Sequence, residues 1–501
     1  MKKALFASSS LIAALSLFAL PLIQSCSKGF IFAVDYMAEG MYPEPSGQEG
    51  NDFNEIQEND FILTSEQPVS TFSVDADGAA YSYMRRTVKE GDIPMKNSVR
   101  IEEYLNYFTF NYSDPTGNES VAINAEVSPC PWNTTHNLIR LGLKGKSLPE
   151  SKIPAANFIF LVDVSGSMRG ADRLELVKKG LLNLVDNMRQ GDRIAIITYS
   201  GKVAKILPST DVSDSKKIKK AIRDLTPGGS TAGGAAMEMA YKEAMDNFMP
   251  DGNNRIIMCT DGDFNVGVSD TDALVGMVEQ YLDKGIYLSI MGFGFGNLYD
   301  SRMESLSNHG NGTYNYIDCE AEMQKVFVNE RSHFYSVATD TKCQIEFNPE
   351  AVKRYRLIGY ENRVMKNEDF EDDSKDAGEI GAGQTITALY EIEMGSVETQ
   401  SSAPLATFSV RYKKTVKDES RPLELGIKVN DIKSSPSDEF SFAAGTAAFG
   451  LCLRDSKYKG NASYEMAEEL LSKGLKFDSG SYRSEFVDLV KKTSQLAAHK
   501  Q

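Results

Sequence analysis

The sequence is poor in the side chains that many catalytic and metal centres require. Its 501 residues include four histidines, at positions 136, 309, 333 and 499, and six cysteines whose spacing matches no zinc pattern. It contains no HExxH, no phosphate loop of the GxxxxGK type and no GxSxG around Ser230. These absences argue against a zinc enzyme, a P-loop nucleotidase and a serine hydrolase, and so few histidines leave little for a Ser-His or Cys-His pair.

Positive charge and long apolar runs are also scarce. There are 54 Lys and Arg against 70 Asp and Glu, a formal net charge of -16, which argues against general nucleic-acid binding. After residue 25 no stretch is apolar for the roughly 20 residues that a membrane helix needs. The chain is otherwise of globular composition, and its length of 501 residues predicts two to four domains.

The first residues have the pattern of an export signal. Lys2 and Lys3 precede an apolar stretch at 4–23, and Cys26 ends the sequence Ile-Gln-Ser-Cys that follows. This pattern resembles a bacterial lipobox, which implies a signal peptide at 1–25 and a lipid on Cys26. A plain secretory signal or an anchor helix is the alternative. We therefore expect a lipid-anchored protein of the bacterial cell envelope, at the outer membrane and facing the periplasm or the surface, with residues 26–58 as a flexible tether.

Five cysteines remain after Cys26. An exported protein can form disulfides, but an odd number of cysteines with no characteristic spacing defines no pairing. One of them, Cys259, lies in a predicted buried strand, where a small core residue is the simpler interpretation. The five are Cys130, Cys259, Cys319, Cys343 and Cys452.

The middle of the chain, residues 151–335, alternates between strand and helix patterns. Apolar runs of strand length predict strands at 158–162, 193–199, 204–207, 255–259, 287–292 and 312–316. Helical spacing predicts helices at 173–188, 213–225, 232–247, 270–284, 300–307 and 321–332. This order predicts an α/β domain with a doubly wound, mostly parallel six-stranded sheet.

The flanking regions differ from the middle of the chain in their predicted secondary structure. Residues 59–150 contain two predicted helices, 79–88 and 98–108, and strands within 119–143, whereas 336–435 is rich in predicted strands and 436–501 in helices. We expect the flanking strands to form a β-sandwich into which the α/β domain is inserted. The acidic residues 369–376 and the glycine-rich residues 378–383 predict a long exposed loop.

Two aspartates precede the first predicted helix. Asp75 and Asp77 are spaced like a fragment of a calcium loop, but the remaining ligands and the terminal glutamate of such a loop are missing. Capping of the helix N-terminus is therefore the favoured interpretation.

The first strand of the middle region runs into a polar turn. Residues 158–162 are apolar, and Asp163-Val-Ser165-Gly-Ser167 follows directly. This Asp-x-Ser-x-Ser motif resembles the one that opens the metal-ion-dependent adhesion site (MIDAS) of the von Willebrand factor type A (VWA) family. The alternative is that Asp163 caps the next helix or its preceding turn. Thr231, in a glycine-rich loop before a helix, and Asp261, at the end of a buried strand, match the other two positions of the family's site.

The resemblance implies a divalent cation bound by oxygen ligands. The five groups, from Asp163, Ser165, Ser167, Thr231 and Asp261, offer no nitrogen or sulfur, which favours Mg²⁺ or another hard cation such as Mn²⁺ or Ca²⁺ over zinc or copper. Two carboxylates leave the ion under-neutralised, and the family's usual further ligand is an Asp or Glu carboxylate of a protein partner. We expect a protein-binding module with no enzymatic activity and no organic cofactor. The alternative is a structural component of envelope assembly whose metal stabilises the fold.

The flanks carry resemblances of their own. The residues at 68–75, 99–108, 356–363 and 454–462 resemble regions that flank the VWA domain in a branch of bacterial exported proteins, without implying a function. A further glycine-rich turn, at 292–297, follows a predicted strand, but its spacing is not that of a dinucleotide-binding loop. Such turns are common after the fifth strand of VWA domains.

Overall fold

The structure is a computed structural model that describes residues 50–229, 233–262, 271–282, 284–397 and 401–500. The predicted signal peptide and Cys26 lie outside these residues. Within them, no helix combines the length and the apolar character that crossing a membrane requires.

The chain begins with two short strands, two helices and a pair of long strands. These are β1 (Ile62–Leu63), β2 (Val69–Ser73), α1 (Ala79–Lys89), α2 (Ile101–Asn106), β3 (Val121–Pro129) and β4 (His136–Gly145). β3 and β4 pair antiparallel along their whole length. The two helices lie where the spacing of apolar residues predicts them.

The predicted capping of α1 by Asp75 or Asp77 is wrong. The residue before the helix is Gly78, which has no capping side chain, and Glu103 from α2 accepts a hydrogen bond from the backbone N–H of Ala80 at 2.7 Å instead. Both aspartates are paired with Arg363, at 3.0 and 3.4 Å. Asp75 and Asp77 therefore bind an arginine of the β-sandwich, which is distant in sequence. The free backbone N–H of Ala80 at the start of α1 is instead bound by the carboxylate of Glu103 in α2.

The middle of the chain forms the predicted doubly wound sheet. Its elements are β5 (Ala156–Asp163), α3 (Leu174–Asn187), β6 (Arg193–Tyr199), β7 (Val203–Asp211), α4 (Ser215–Arg223), α5 (Gly233–Asp246), β8 (Asn253–Thr260), α6 (Thr271–Leu282), β9 (Ile286–Gly292), α7 (Asp300–Asn308), β10 (Tyr314–Tyr316) and α8 (Glu320–Gln324). The strand order is β10-β9-β8-β5-β6-β7, and only β7 is antiparallel to its neighbour. The α/β fold expected from the sequence is confirmed.

The central strand β5 carries an unbroken apolar run because it is buried on both faces of the sheet. Phe158, Phe160 and Val162 lie in the core on one face of the sheet, and Ile159 and Leu161 lie in the core on the other. Because helices cover both faces of a parallel sheet, every residue of the strand is buried, and alternation of polar and apolar residues disappears.

The remaining strands build a β-sandwich around a separate core. They are β11 (Ser336–Phe347), β12 (Val352–Ile358), β13 (Val364–Met365), β14 (Gly378–Gly381), β15 (Thr385–Met394), β16 (Pro404–Lys413) and β17 (Arg421–Lys428). One sheet has the order β1-β12-β15-β4-β3, and the other has the order β13-β2-β11-β16-β17. The chain leaves the sandwich after β4 and returns to it at β11, so the α/β unit is an insertion, as predicted.

The long exposed loop expected from the acidic residues 369–376 and the glycine-rich residues 378–383 is wrong for part of the glycine-rich stretch. Gly378–Gly381 forms β14, which pairs with β11. A Cβ at Gly381 would lie 2.2 Å from the carbonyl oxygen of His333, and a Cβ at Gly378 would lie 2.3 Å from that of Val74. The glycines therefore allow close packing of backbones instead of exposure.

The last three helices of the chain pack against α1 and α2. They are α9 (Asp438–Arg454), α10 (Tyr464–Lys473) and α11 (Tyr482–Lys500). Ser437 and Ser463 cap the first two of these helices by accepting backbone N–H bonds. Aromatic residues of all five helices share one core, among them Tyr81, Tyr104 and Phe486.

All five cysteines of the described chain are free thiols. Cys259 is fully buried in β8, as expected for a small core residue.

Candidate metal centre

Two neighbouring strands of the parallel sheet end at the candidate site. β5 ends at Asp163 and β8 at Thr260, and the register pairs Val162 with Cys259. The ends of the two strands therefore coincide, and Asp163 and Asp261 lie at the same edge of the sheet, both with side chains fully buried. In an open α/β sheet this edge, where neighbouring crossovers diverge, is where ligands bind.

The turn after β5 brings its polar side chains together. The Asp163 carboxylate accepts a hydrogen bond from the backbone N–H of Ser165 at 2.8 Å. The hydroxyls of Ser165 and Ser167 are hydrogen-bonded at 2.9 Å. Ser165 is buried and Ser167 half-buried, so the turn presents one carboxylate and two hydroxyls in a small volume.

The loop before α5 is attached directly to this turn. The N–H of Gly228 donates to the carbonyl of Val164 at 2.7 Å, and the N–H of Gly166 donates to that of Gly229 at 3.2 Å. Gly229 has φ +91°, a conformation that favours glycine. The loop leads to Thr231, which lies outside the described residues.

Asp261 is held from the opposite side by the loop after β9. The amide nitrogen of Asn297 donates to Oδ2 of Asp261 at 3.0 Å, and its oxygen accepts from Nη2 of Arg173, also at 3.0 Å. Gly294, in the same loop, has φ +85°, and a Cβ there would lie 2.5 Å from Nε of Arg173. The glycine-rich turn at 292–297 thus places the side-chain amide of Asn297 between the carboxylate of Asp261 and the guanidinium of Arg173.

The buried environment and the nearby Asp261 change the acidity of Asp163. Burial, with the nearby charge of Asp261, raises the pKa of Asp163 to about 7. Burial and the charge of Asp163 also raise the pKa of Tyr199 on β6. Two carboxylates and two hydroxyls in a poorly solvated site are a donor set that fits a hard divalent cation, which would relieve the repulsion between the acids.

Nitrogen and sulfur ligands play no part in this arrangement. Across the residues that the structure describes, no three side chains of His, Cys, Asp or Glu gather as a metal site. The structure brings together Asp163, Ser165, Ser167 and Asp261, and their role as metal ligands stays a prediction, as does that of Thr231.

Several supporting residues were not predicted from the sequence. They are Thr260, whose hydroxyl contacts Asp163, and the pair Asn297 and Arg173. Thr260 adjoins the predicted ligand Asp261 and could have been found by position. Asn297 and Arg173 carry no such signal, because they lie in loops that meet only in the folded chain.

Three family models match the chain. The model described as "von Willebrand factor type A domain" matches residues 157–329, and the one described as "von Willebrand factor" matches residues 47–140. The model described as "Uncharacterized protein YfbK, C-terminal" matches residues 332–496. Together they span most of the described residues.

The chain is also similar to individual proteins. "Uncharacterized protein YfbK" of Escherichia coli (strain K12) is 37% identical over 465 residues, which is 87% of this chain and 80% of that protein. "Inter-alpha-trypsin inhibitor heavy chain H3" of Bos taurus is 31% identical over 177 residues, 33% of this chain and 20% of that protein. A solved structure, "von Willebrand factor type A from Catenulispora acidiphila", is 13% identical, covers 77% of this chain and 91% of its own, and has a TM-score of 0.44.

The fold and the polar strand ends define a VWA-type α/β domain. The chain belongs to the von Willebrand factor type A family, and it shares its flanking regions with YfbK of E. coli. Domains of this family are commonly metal-dependent protein-interaction modules and are generally not enzymes.

Proposed function

We propose that this is a lipid-anchored protein of the cell envelope whose VWA domain binds a divalent cation and, through it, an acidic group of a protein partner. The observation that supports this most strongly is the convergence of two buried carboxylates, Asp163 and Asp261, with the hydroxyls of Ser165 and Ser167 at one sheet edge. The proposed cation is Mg²⁺, or Mn²⁺ or Ca²⁺ in its place. Thr231 is proposed as the fifth ligand.

The donor set explains why an acidic partner is proposed. The negative charge of two carboxylates can at most balance the charge of a divalent ion. The serine and threonine hydroxyls hold the ion without adding charge. A bound ion supplies a Lewis-acid position for an oxygen ligand. Asn297 and Thr260 each hold one carboxylate by a hydrogen bond, so part of the negative charge is already engaged. A carboxylate of a partner is the ligand that such an ion favours.

The lipid anchor and the location are proposed from the sequence. The basic residues, the apolar stretch and the Ile-Gln-Ser-Cys sequence support lipidation of Cys26 and an outer-membrane position facing the periplasm or the surface. The absence of an enzymatic activity is likewise proposed. It is supported by the scarcity of histidine and by the family's general character.

Cation-dependent co-purification tests the proposed function. The full chain is used to capture partners from envelope extracts in the presence of Mg²⁺ or of a chelator. We expect a partner that is retained with Mg²⁺, released by the chelator and not captured by Asp163→Ala, which should remain folded. Asp186→Ala, on the exposed surface of α3, is the matched control and should capture the partner normally.

The contrary outcomes are distinct. If Asp163→Ala unfolds the domain and no Mg²⁺-dependent partner is found, the metal stabilises the fold and the protein is a structural component. A hydrolytic activity of the purified chain would contradict both functions.

A further inference from the structure

The loop between β9 and α7 is enclosed by residues that precede the α/β unit. We call residues 293–299 the site loop, because it contains Asn297. We call residues 51–53, together with Tyr83 and Arg86 of α1, the clamp. The sequence assigns residues 51–53 to a tether, but in the structure they lie against the site loop.

The first part of the clamp is an extended segment that pairs with the site loop. The N–H of Asp52 donates to the carbonyl of Leu298 at 2.8 Å, and the N–H of Asp300 donates to the carbonyl of Asp52 at 3.1 Å. The side-chain oxygen of Asn51 accepts from the N–H of Leu298 at 2.8 Å. Both polar backbone groups of Leu298 are thus bound by residues that lie more than 240 positions earlier in the chain.

The second part of the clamp is one face of α1. The ring of Tyr83 lies 4.9 Å from that of Phe53 and 5.7 Å from that of Phe295, and its hydroxyl accepts from the amide of Asn51 at 2.8 Å. The guanidinium of Arg86 lies 4.8 Å from the centre of the Phe295 ring. Arg86 therefore packs a cation on the site loop from the same side as Tyr83.

Arg86 also reaches the other loop of the candidate site. Its Nη2 donates to Asp172, one residue before Arg173, at 2.7 Å. Its Nη1 donates to the hydroxyl of Tyr316 at 3.1 Å, and that hydroxyl donates to the carbonyl of Gly294 at 2.6 Å. One arginine thus ties together the two loops whose side chains meet at Asn297.

The site loop in turn holds Asp261. Asn297 donates to its carboxylate at 3.0 Å, and the N–H of Tyr299 donates to its backbone carbonyl at 3.3 Å. Leu298, which the clamp binds, lies between these two residues. A shift of the clamp would therefore displace both contacts to the proposed metal ligand.

We propose that the clamp positions Asp261 through Asn297, so that docking of the N-terminal segment and cation binding at the metal centre are coupled. This inference rests on the proposed cation site. Because coupling of two equilibria is reciprocal, a docked clamp strengthens cation binding and a bound cation strengthens docking of the clamp to the same extent. The segment that docks also connects the folded domains to the proposed lipid anchor. Attachment of the protein to the membrane would therefore affect cation binding at the metal centre.

Cation affinity of the full chain tests one direction of the coupling. Mn²⁺ binding is measured by calorimetry for the natural sequence, Asn297→Ala and Asn51→Ala. We expect Asn297→Ala to bind at least about tenfold more weakly, since it removes a direct contact to a ligand carboxylate. We expect Asn51→Ala, which lies outside the site, to bind about fivefold more weakly or worse.

The matched control is Asn59→Ala. Asn59 belongs to the same segment, but its amide donates to the carbonyls of Leu357 and Gly359 in the β-sandwich and not to the site loop. It should bind Mn²⁺ like the natural sequence. Thermal unfolding of all three variants is measured in chelator, and we expect the unfolding temperature to be unchanged. An unchanged temperature shows that weaker binding comes from a displaced Asp261 and not from a general loss of structure.

Hydrogen exchange tests the reverse direction without any substitution in the clamp. Addition of Mn²⁺ should slow exchange of the amides of Asp52 and Leu298 in the natural sequence and leave them unchanged in Asp163→Ala. If the natural sequence binds no cation, the proposed function and this inference both fail. If it binds, but Asn51→Ala and Asn297→Ala bind equally well and the two amides do not respond, the inference alone is overturned.

Discussion

The hydroxyl of Thr260 donates a hydrogen bond to Oδ2 of Asp163 at 3.2 Å, across two neighbouring strands. The hydroxyl oxygen of Thr260 also accepts a hydrogen bond from the N–H of Gly262 at 3.0 Å, and the side chain of Thr260 is fully buried. Thr260 therefore holds one proposed ligand directly, and it fixes the turn that follows the second, Asp261. The two carboxylates are kept in a defined arrangement by a residue that is not itself a predicted ligand.

Replacement of Thr260 by the isosteric valine should weaken cation binding without unfolding the domain. The substitution removes the donor to Oδ2 of Asp163 and the acceptor for Gly262, so the carboxylate loses this hydrogen bond and keeps the one from the N–H of Ser165. We expect an affinity for Mn²⁺ about 10–100 times lower, as is typical for loss of a residue that orients a metal ligand. Thr198→Val on β6 is the control: its hydroxyl bonds only weakly, to the carbonyl of Ala204 at 3.4 Å. Equal affinity in the two variants would contradict this role.

Gly294→Ala should damage the site through the backbone. The residue has φ +85°, and the added Cβ would lie 2.5 Å from Nε of Arg173, so both the loop and the arginine must move. Gly91→Ala is the control, because Gly91 has φ +93° with open space around it and should lose only about 1 kcal/mol from backbone strain. Chemical denaturation and Mn²⁺ titration of both variants measure the difference, and only Gly294→Ala should lose cation affinity.

Removal of the Arg85 side chain should strongly destabilise the attachment of the α/β unit. Its side chain is 2% exposed, and its guanidinium pairs with Asp318 at 2.5 Å and with Glu322 at 2.7 Å. Arg85→Met removes the guanidinium that is paired with both buried carboxylates, and we expect a loss of about 3–5 kcal/mol in the free energy of unfolding. Lys89→Ala, which breaks a half-exposed pair with Glu485, should cost at most about 1 kcal/mol. Similar losses in urea denaturation of the two variants would show that the buried contacts are not the stronger ones.

The stability of the protein should depend on pH through Glu102. Burial, with the nearby charge of Glu361, raises the pKa of this carboxyl to about 8, although Arg454 opposes the shift. The unfolded chain ionises near 4.5, so the contribution of neutral Glu102 is fully present below that pH. It is lost as the pH rises towards 8. The gain in unfolding free energy from Glu102→Gln should therefore be larger at pH 9 than at pH 5, by about 2–4 kcal/mol.

Denaturation of both chains across this pH range measures the effect. Glu469→Gln, on the exposed surface of α10, is the control and should follow the natural sequence. If the stabilities of Glu102→Gln and the natural sequence run parallel from pH 5 to pH 9, Glu102 does not titrate as described.

The α/β sheet was predictable because burial on both faces demands contiguous apolar residues. The strand predicted at 193–199 is found with the same bounds, and the others differ by a few residues at their ends. The order of alternating strands and helices then fixes which strand ends share an edge. For the same reason, placing Asp163 and Asp261 together required no side-chain information.

Contacts between remote parts of the chain were not predictable in this way. Asp75 and Asp77 precede a helix and resemble its cap, yet their partner, Arg363, lies 288 residues after Asp75. The glycines of β14 suggest a loop until the neighbouring backbones are known. Asn297 sits in a glycine-rich turn whose pattern says nothing of its role, because its partner Arg173 is 124 residues away.

The central claim is that Asp163 and Asp261 belong to a divalent-cation site. Titration of the full chain with Mn²⁺ by isothermal calorimetry, for the natural sequence and for Asp163→Ala, tests it most directly. We predict one bound ion per chain in the natural sequence, displaced by excess Mg²⁺, and no binding at this site in a folded Asp163→Ala variant. Absence of binding by the natural sequence, or equal binding by the variant, would contradict the account.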